Sequence, residues 1–97
     1  MTHGPTRAVL LDDRSEQALI DRWIEPNPHK RQADEAWLVD FATPVWALVG
    51  YLTAVNGDAD QVAIDYRVPR EAVDAALAYY RRHQAIIDAR IAANALS

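Results

Sequence analysis

The sequence predicts a mainly α-helical protein: three helices in a helix-turn-helix unit, a short strand and a helix before them, and a long C-terminal helix. Three observations support this fold class. Alanine supplies 18 of the 97 residues, and it has the highest intrinsic helix propensity. Capping residues and prolines mark helix starts and stops along the chain. Between these marks, apolar side chains recur at helical spacing.

The size and composition indicate one domain with a modest core. The mass is 10.9 kDa and 51% of the residues are hydrophobic, but only 23 of them are Leu, Ile, Val or Phe. A chain of this length buries roughly two-thirds of its unfolded surface, so its margin of stability is thin. Because the chain has no cysteine, a disulfide scaffold and a thiolate metal site are excluded.

The chain shows neither a signal peptide nor a stretch approaching about 18 uninterrupted apolar residues. We therefore expect a cytoplasmic protein with no membrane partner. The net charge is −4, which counts against a nucleic-acid binder of the usual basic kind. The distribution is uneven, because residues 36–66 hold four acids and no base, whereas residues 67–90 hold five arginines against three acids.

Residues 1–33 are predicted to form an N-terminal extension with one helix. Asp13 and Glu16 have the spacing of a capping box, which predicts a helix over about Arg14–Ile24. Pro26 ends it, because proline cannot continue a helix. Ahead of this helix, the apolar run Ala8–Leu11 resembles a short strand.

Residues 34–97 are predicted to form the helix-turn-helix domain, which opens on a strand over Glu35–Phe41. Alternation places Trp37 and Val39 on one face of this strand and Leu38 on the other. A lone strand is unstable in water. Its partner is therefore either Ala8–Leu11 or a second copy of the protein.

Three helices follow the strand. Thr43 and Pro44 predict the start of the first, as a capping residue followed by proline at the first helical position. Asn56-Gly57 ends it, with Gly57 in the left-handed conformation. A capping box of Asp58 and Gln61 begins the second helix, and Pro69 opens the third.

The third helix meets no Gly or Pro between Arg70 and Leu96. Its predicted length is about 26 residues, or roughly 39 Å. The small three-helix unit covers only its first half. The second half carries Ile86, Ile87 and Ile91, which we expect to pack on the N-terminal helix, a second subunit or another protein.

No enzyme signature is visible, so we expect neither catalysis nor a metal or other cofactor. Three glycines do not make a phosphate-binding loop. The three histidines are widely separated and lack metal-ligand spacing. His83 is expected to be a half-buried packing residue.

Two surfaces are candidate binding sites. In helix-turn-helix proteins the start of the third helix enters the major groove and nearby basic residues hold phosphates. This predicts DNA contacts from Arg67, Arg70, Glu71, Asp74, Arg81 and Arg82, although the Asp74 carboxylate repels phosphate and a solvated helix face is the alternative. The predicted interface for a dimer mate or another protein comprises Trp37, Val39, Trp46, Tyr51, Ile86, Ile87 and Ile91. Packing of Trp46 and Tyr51 under the N-terminal segment is the alternative there.

Several segments resemble the family known as bacterial domain of unknown function 433. They are Thr43–Leu52 (TPVWALVGYL), Val62-Ala63 with Tyr66, and Val68–Tyr80 (VPREAVDAALAYY). The resemblance covers about residues 36–82, and Trp23–His29 (WIEPNPH) resembles a subgroup extension ahead of the domain. Where the family often has Gly-Thr-Arg-Ile-Pro-Val, this chain has Asp40–Val45 (DFATPV) and so lacks the glycine and the basic residue.

The resemblance implies a homeodomain-like helix-turn-helix fold and an antitoxin encoded beside a PIN-like ribonuclease toxin. Such a protein masks the toxin and represses the shared promoter as a homodimer. A negative net charge suits a partner with a nucleic-acid-binding surface. The alternative is an interaction module that dimerises and binds protein but never touches DNA.

Overall fold

The computed structural model describes residues 12–29 and 32–95. About 70% of this part of the chain is helical, which confirms the mainly α prediction. The elements in chain order are α1 (Asp13–Trp23), β1 (Ile24–Glu25), a short 3₁₀ helix (Ala33–Glu35), β2 (Trp37–Leu38), α2 (Val45–Ala54), α3 (Ala59–Tyr66), α4 (Arg70–Arg82) and α5 (Gln84–Ala95). None of these helices is long and apolar enough to cross a bilayer.

Helix α4 lies at the centre of the molecule, because α1, α2 and α3 all pack against it. Its buried positions are largely alanines that are almost inaccessible to solvent: Ala72, Ala75, Ala76 and Ala78. Small side chains let neighbouring helix axes approach closely. The alanine content therefore serves packing around α4 as well as helix propensity.

Larger side chains from the surrounding elements complete the core. Leu38, Val45, Leu48, Val62, Val73 and Ile87 are the largest fully buried side chains. Ile20 and Ile24 belong to the same core. The described part of the extension therefore packs with the helices that follow the expected boundary at residue 33.

The helix starts agree with the sequence signals to within one residue. The cap of α1 is Asp12 rather than Asp13, and its carboxylate accepts from the backbone N–H of Ser15 at 2.7 Å. Helix α2 begins at Val45, with Pro44 rather than Thr43 in the capping position. Both shifts lie within the usual uncertainty of a helix boundary.

The turn between α2 and α3 forms as predicted. Gly57 has a φ of 81°, and its N–H donates to the Leu52 carbonyl at 2.9 Å. Asp58 caps α3 by accepting from the Gln61 N–H at 3.1 Å. The capping box is one-sided, because the Gln61 side chain donates to Asp65 instead.

The strand prediction over Glu35–Phe41 is wrong in length and in partner. Only Trp37–Leu38 is extended, and it pairs antiparallel with Ile24–Glu25. The partner is therefore a segment directly after α1, and Ala8–Leu11 lies outside the described residues. The predicted alternation of the two strand faces is present around Leu38, because Leu38 is fully buried while its neighbours are half-exposed. Positive φ angles at Asp40 and Ala42 end the extended backbone.

The single long helix predicted from Arg70 is also wrong, because it breaks at His83, where φ is −133° and ψ is 35°. The His83 ring lies on Tyr79 with a centroid distance of 4.3 Å. Across the break, the Tyr80 hydroxyl donates to Asp88 at 2.6 Å. The break directs α5 back against α2 and the 3₁₀ helix, and this brings Ile87 into the core.

Candidate functional site: the groove between α1 and α4

An open groove of about 1190 Å³ lies between α1 and α4. Its walls are Ser15, Glu16, Ala18, Leu19 and Arg22 from α1, and Arg70, Glu71, Asp74, Leu77, Ala78 and Arg81 from α4. The groove is therefore amphipathic, with apolar side chains between charged groups of both signs.

Ion pairs join the two helices towards each end of the groove. Arg81 Nη2 lies 3.3 Å from Glu16 Oε2, and Arg22 Nη1 lies 3.8 Å from Glu71 Oε2. These pairings show that α1 and α4 run antiparallel. Leu19 and Leu77 lie between the two pairs along their helices and supply apolar surface.

Arg82 ties the first turn of α1 to the end of α4. Its Nε donates to Glu16 Oε1 at 2.9 Å, one Nη donates to Gln17, and the other donates to the Asp13 carbonyl at 3.3 Å. The hydrogen bond from Arg82 holds the pKa of Glu16 below its ordinary value, because it favours the ionised carboxylate. Arg81 and Arg82 are thus engaged by α1.

Arg70 is also held within the chain. One guanidinium nitrogen contacts Asp60, and Nε donates to Asp74 Oδ1 at 3.0 Å. The Asp60 contact raises the pKa of Arg70 above its ordinary value, since it favours the cation. Arg67 differs: it ends α3 in the left-handed conformation and is exposed.

The structure therefore brings most of the predicted DNA-binding set together, but in an unexpected shape. Arg70, Glu71, Asp74 and Arg81 line one wall of the groove, and α1 forms the other wall. A helix that reads DNA projects into the major groove. Here the corresponding surface of α4 is concave and its arginines are paired with carboxylates.

The predicted interface residues around the small sheet make contacts inside the chain. Trp37 Nε1 donates to Glu25 Oε2 at 2.8 Å, and the Val39 N–H donates to the Trp23 carbonyl at 2.7 Å. The Trp46 ring lies under Arg90, with the guanidinium carbon 4.8 Å from the ring centroid. These contacts within the chain occupy much of the surface that the sequence predicts as a partner interface.

The remaining predicted interface residues also divide between core and surface. Tyr51 donates its hydroxyl to Asp65 at 2.5 Å and packs edge-on against Tyr66. Ile91 lies over Gly50 of α2. Ile87 is fully buried, so it offers no surface to a partner, whereas Ile86 is 41% exposed.

One cluster of charged residues has no counterpart in the sequence analysis. The Arg90 guanidinium contacts Glu35 and lies 3.6 Å from Asp34 Oδ2, and all three side chains are largely buried. The Tyr79 hydroxyl donates to the Ala33 carbonyl at 3.0 Å. Burial, together with the nearby Asp34 charge, raises the pKa of Tyr79. The cluster fixes α5 and α4 to the 3₁₀ helix.

The described residues contain no group of three or more His, Asp or Glu side chains placed to hold a metal ion. His83 is half-buried against Tyr79, the packing role expected for it. No protein-family model, curated protein or solved structure matches the chain.

Proposed function

We propose that this protein is a protein-binding regulator of the antitoxin type, and that the groove between α1 and α4 receives a helix or extended segment of its partner. The groove itself is the observation that carries the proposal. It is open and amphipathic, and it lies along the seam where α1 packs on α4.

The shape of the groove suits a peptide segment. Small-molecule pockets are typically about 300–1,000 Å³ and enclosed, whereas this groove is larger at about 1190 Å³ and open. Amphipathic helices bind in such grooves through apolar anchors at helical spacing. Leu19 and Leu77 supply the apolar contact, and the rim charges of both signs orient the incoming segment.

The proposed partner is a PIN-like ribonuclease, as the resemblance of residues 43–52 and 68–80 implies. A ribonuclease needs a basic surface to hold RNA phosphates. A chain with a net charge of −4 is attracted to that surface and competes with RNA for it. Binding in the groove then adds specificity to this attraction.

The test is co-expression with the protein encoded by the adjacent reading frame, which the proposal expects to be a PIN-like ribonuclease. The two chains should co-purify, and the complex should lack ribonuclease activity. Ala18→Trp fills the groove from an exposed position on α1 without altering the core. We expect it to weaken binding at least about tenfold, or about 1.4 kcal/mol.

Ala85→Trp is the matched control, because Ala85 is also an exposed helical alanine, but on α5. It should bind the partner as the wild type does. Failure of the wild-type chains to associate would refute the antitoxin proposal. Equal binding by both tryptophan variants would instead exclude the groove as the contact surface.

DNA binding is the second candidate function. It is favoured by the three helices α2–α4, by the short Arg67–Pro69 turn before α4, and by the exposed Arg67 side chain at that turn. A homeodomain-like unit of this kind would bind the promoter as a dimer. If Arg70 contacts a base, Arg70→Ala should weaken promoter binding by about 1–3 kcal/mol in a gel-shift titration. Equal affinity of the wild type for promoter and random DNA would rule this function out.

A further inference from the structure

We infer that the outer face of α3 is a contact surface for a second copy of this chain, centred on Ile64 and related by a two-fold axis. Among the described residues, Ile64 is the most exposed of the large hydrophobic side chains, at 66%. Its neighbours Val62 and Ala63 point into the core. The apolar side chain of Ile64 is therefore not required by the fold of a single copy.

Two opposite charges flank Ile64 on the same face of the helix. Asp60 lies one helical turn before Ile64 and so beside it, and Arg67, in the left-handed conformation, caps the end of the helix three residues after it. The Asp60 side chain is 73% exposed, and Arg67 is exposed at the C-terminal end of α3. Along the helix, this face therefore presents an acidic side chain, the isoleucine and a basic side chain in that order.

Both charges have unused bonding capacity within the described residues. Asp60 uses Oδ1 for its contact with Arg70, and no hydrogen bond or ion pair in this part of the chain engages its second oxygen. The Arg67 guanidinium likewise has no partner there. A guanidinium carries five N–H donors and gains most from a carboxylate that it can contact directly.

An antiparallel pair of α3 helices satisfies all three residues at once. With Ile64 packed against its own symmetry mate, Asp60 of each copy meets Arg67 of the other, so the ion pair forms twice. A two-fold interface requires such a self-complementary surface. A parallel arrangement would place like charges opposite each other, so the charge pattern selects the antiparallel one.

The contact is expected to be weak. Stable interfaces bury about 1,200–2,000 Å² in total, and α3 has only eight residues. The dimer should therefore form at high concentration or when a protein partner brings two copies together. This inference does not depend on the proposed groove function, because its test uses the chain alone.

The first experiment is sedimentation equilibrium of the full chain at concentrations up to about 1 mM, where a weak complex with a Kd of that size becomes populated. The apparent mass should rise from 10.9 kDa towards twice that value with concentration. Ile64→Asp should remain at the monomer mass throughout. A wild type that stays monomeric, or an Ile64→Asp variant that dimerises as the wild type does, overturns the inference.

Charge reversal gives the sharper result. Asp60→Arg and Arg67→Asp should each be monomeric alone, because each homodimer would face like charges at both pairs. Mixing the two variants should restore dimerisation, since the mixed dimer regains two opposite-charge pairs. Aspartate tolerates the φ of 58° at position 67 better than most residues. A mixture no more associated than either variant alone overturns the inference.

Arg14→Asp is the matched control, because it makes the same charge change at an exposed position on α1. It should dimerise like the wild type. Far-ultraviolet circular dichroism of each variant checks that α3 remains folded. If Arg14→Asp loses as much dimer as Arg67→Asp does, the loss is explained by net charge alone. That result would also overturn the inference.

Discussion

Helices α1 and α5 both flank the central helices, but they are attached by different means. Helix α5 carries the fully buried Ile87 and Arg90, whose side chain is 26% exposed between two carboxylates that are 12% and 15% exposed. The ion pairs of α1 are of two kinds: the groove-lining Arg81 and Arg22 are 61% and 68% exposed, whereas Arg82 and Glu16 are 30% and 18% exposed. Similar charged groups therefore contribute differently at the two sites.

The exposed and the buried ion pairs contribute differently to stability because solvent screens the first and desolvation affects the second. An exposed ion pair contributes about 0–1 kcal/mol, because water and salt screen it. A buried carboxylate left without its partner is much more costly. The structure thus combines α5, which is held by a largely buried ion pair, with α1, which Arg82 holds at its first turn while Arg22 and Arg81 along the groove are exposed. Exposed ion pairs beside a groove are the ones that a partner displaces at least cost.

Truncation of Ile87 should have the largest effect on stability. Ile87→Ala leaves a cavity where α5 meets the core, so we expect the free energy of unfolding to fall by about 2–5 kcal/mol. Chemical denaturation measures it. Ile86→Ala, one residue away but 41% exposed, should change stability by less than about 0.5 kcal/mol. Equal losses would show that α5 does not pack as described.

Removal of the Arg90 guanidinium should have the second-largest effect on the free energy of unfolding. Arg90→Met keeps much of the packing over Trp46 but leaves Asp34 and Glu35 without their cation, at a cost of about 2 kcal/mol. The corresponding change on α1, Arg22→Met, should cost no more than about 0.5 kcal/mol. If the two arginines prove equivalent in denaturation, the contrast between the helices is wrong.

The smallest expected effect is a dependence of the free energy of unfolding on pH that arises from Glu16. Its folded-state pKa lies below the ordinary value of 4.5, so its ionised form stabilises the fold above that pH. This contribution is lost as the pH falls through the folded-state pKa. Wild type should therefore be more stable than Glu16→Gln at about pH 7, and the difference should shrink as the pH falls below 4.5. A difference that grows on acidification would contradict the assignment of Arg82 as its partner.

Local signals in the sequence predicted the helices because each signal acts within a few residues. Asp58 and Gly57 specify a turn through their own backbone neighbours, and Pro69 sets the start of α4 in the same way. The break at His83 carries no Gly or Pro. It accompanies the burial of Ile87 in the core, which is a tertiary contact that no local pattern reveals.

The groove was less predictable than the helices. Its charged α4 residues are predicted by the helix-turn-helix pattern, but the α1 wall depends on contacts such as Glu16 with Arg81, which lie 65 residues apart in sequence. The partner of Trp37–Leu38 was missed because Ile24–Glu25 is only two residues long and has no strand pattern of its own. Contacts between single residues that are far apart in the chain produce no periodic pattern in the sequence.

The most direct test of the proposed binding site is hydrogen exchange of the chain alone and in complex with the proposed PIN-like partner. In the free chain, we expect the part of α1 around Arg22 to exchange faster than α5, because the Arg22–Glu71 ion pair is exposed. In the complex, protection should increase over residues 15–22 and 70–81, the two walls of the groove, and stay unchanged over residues 84–95. Protection confined to α5, or none in either wall, would contradict the central claim that α1 and α4 form the binding site.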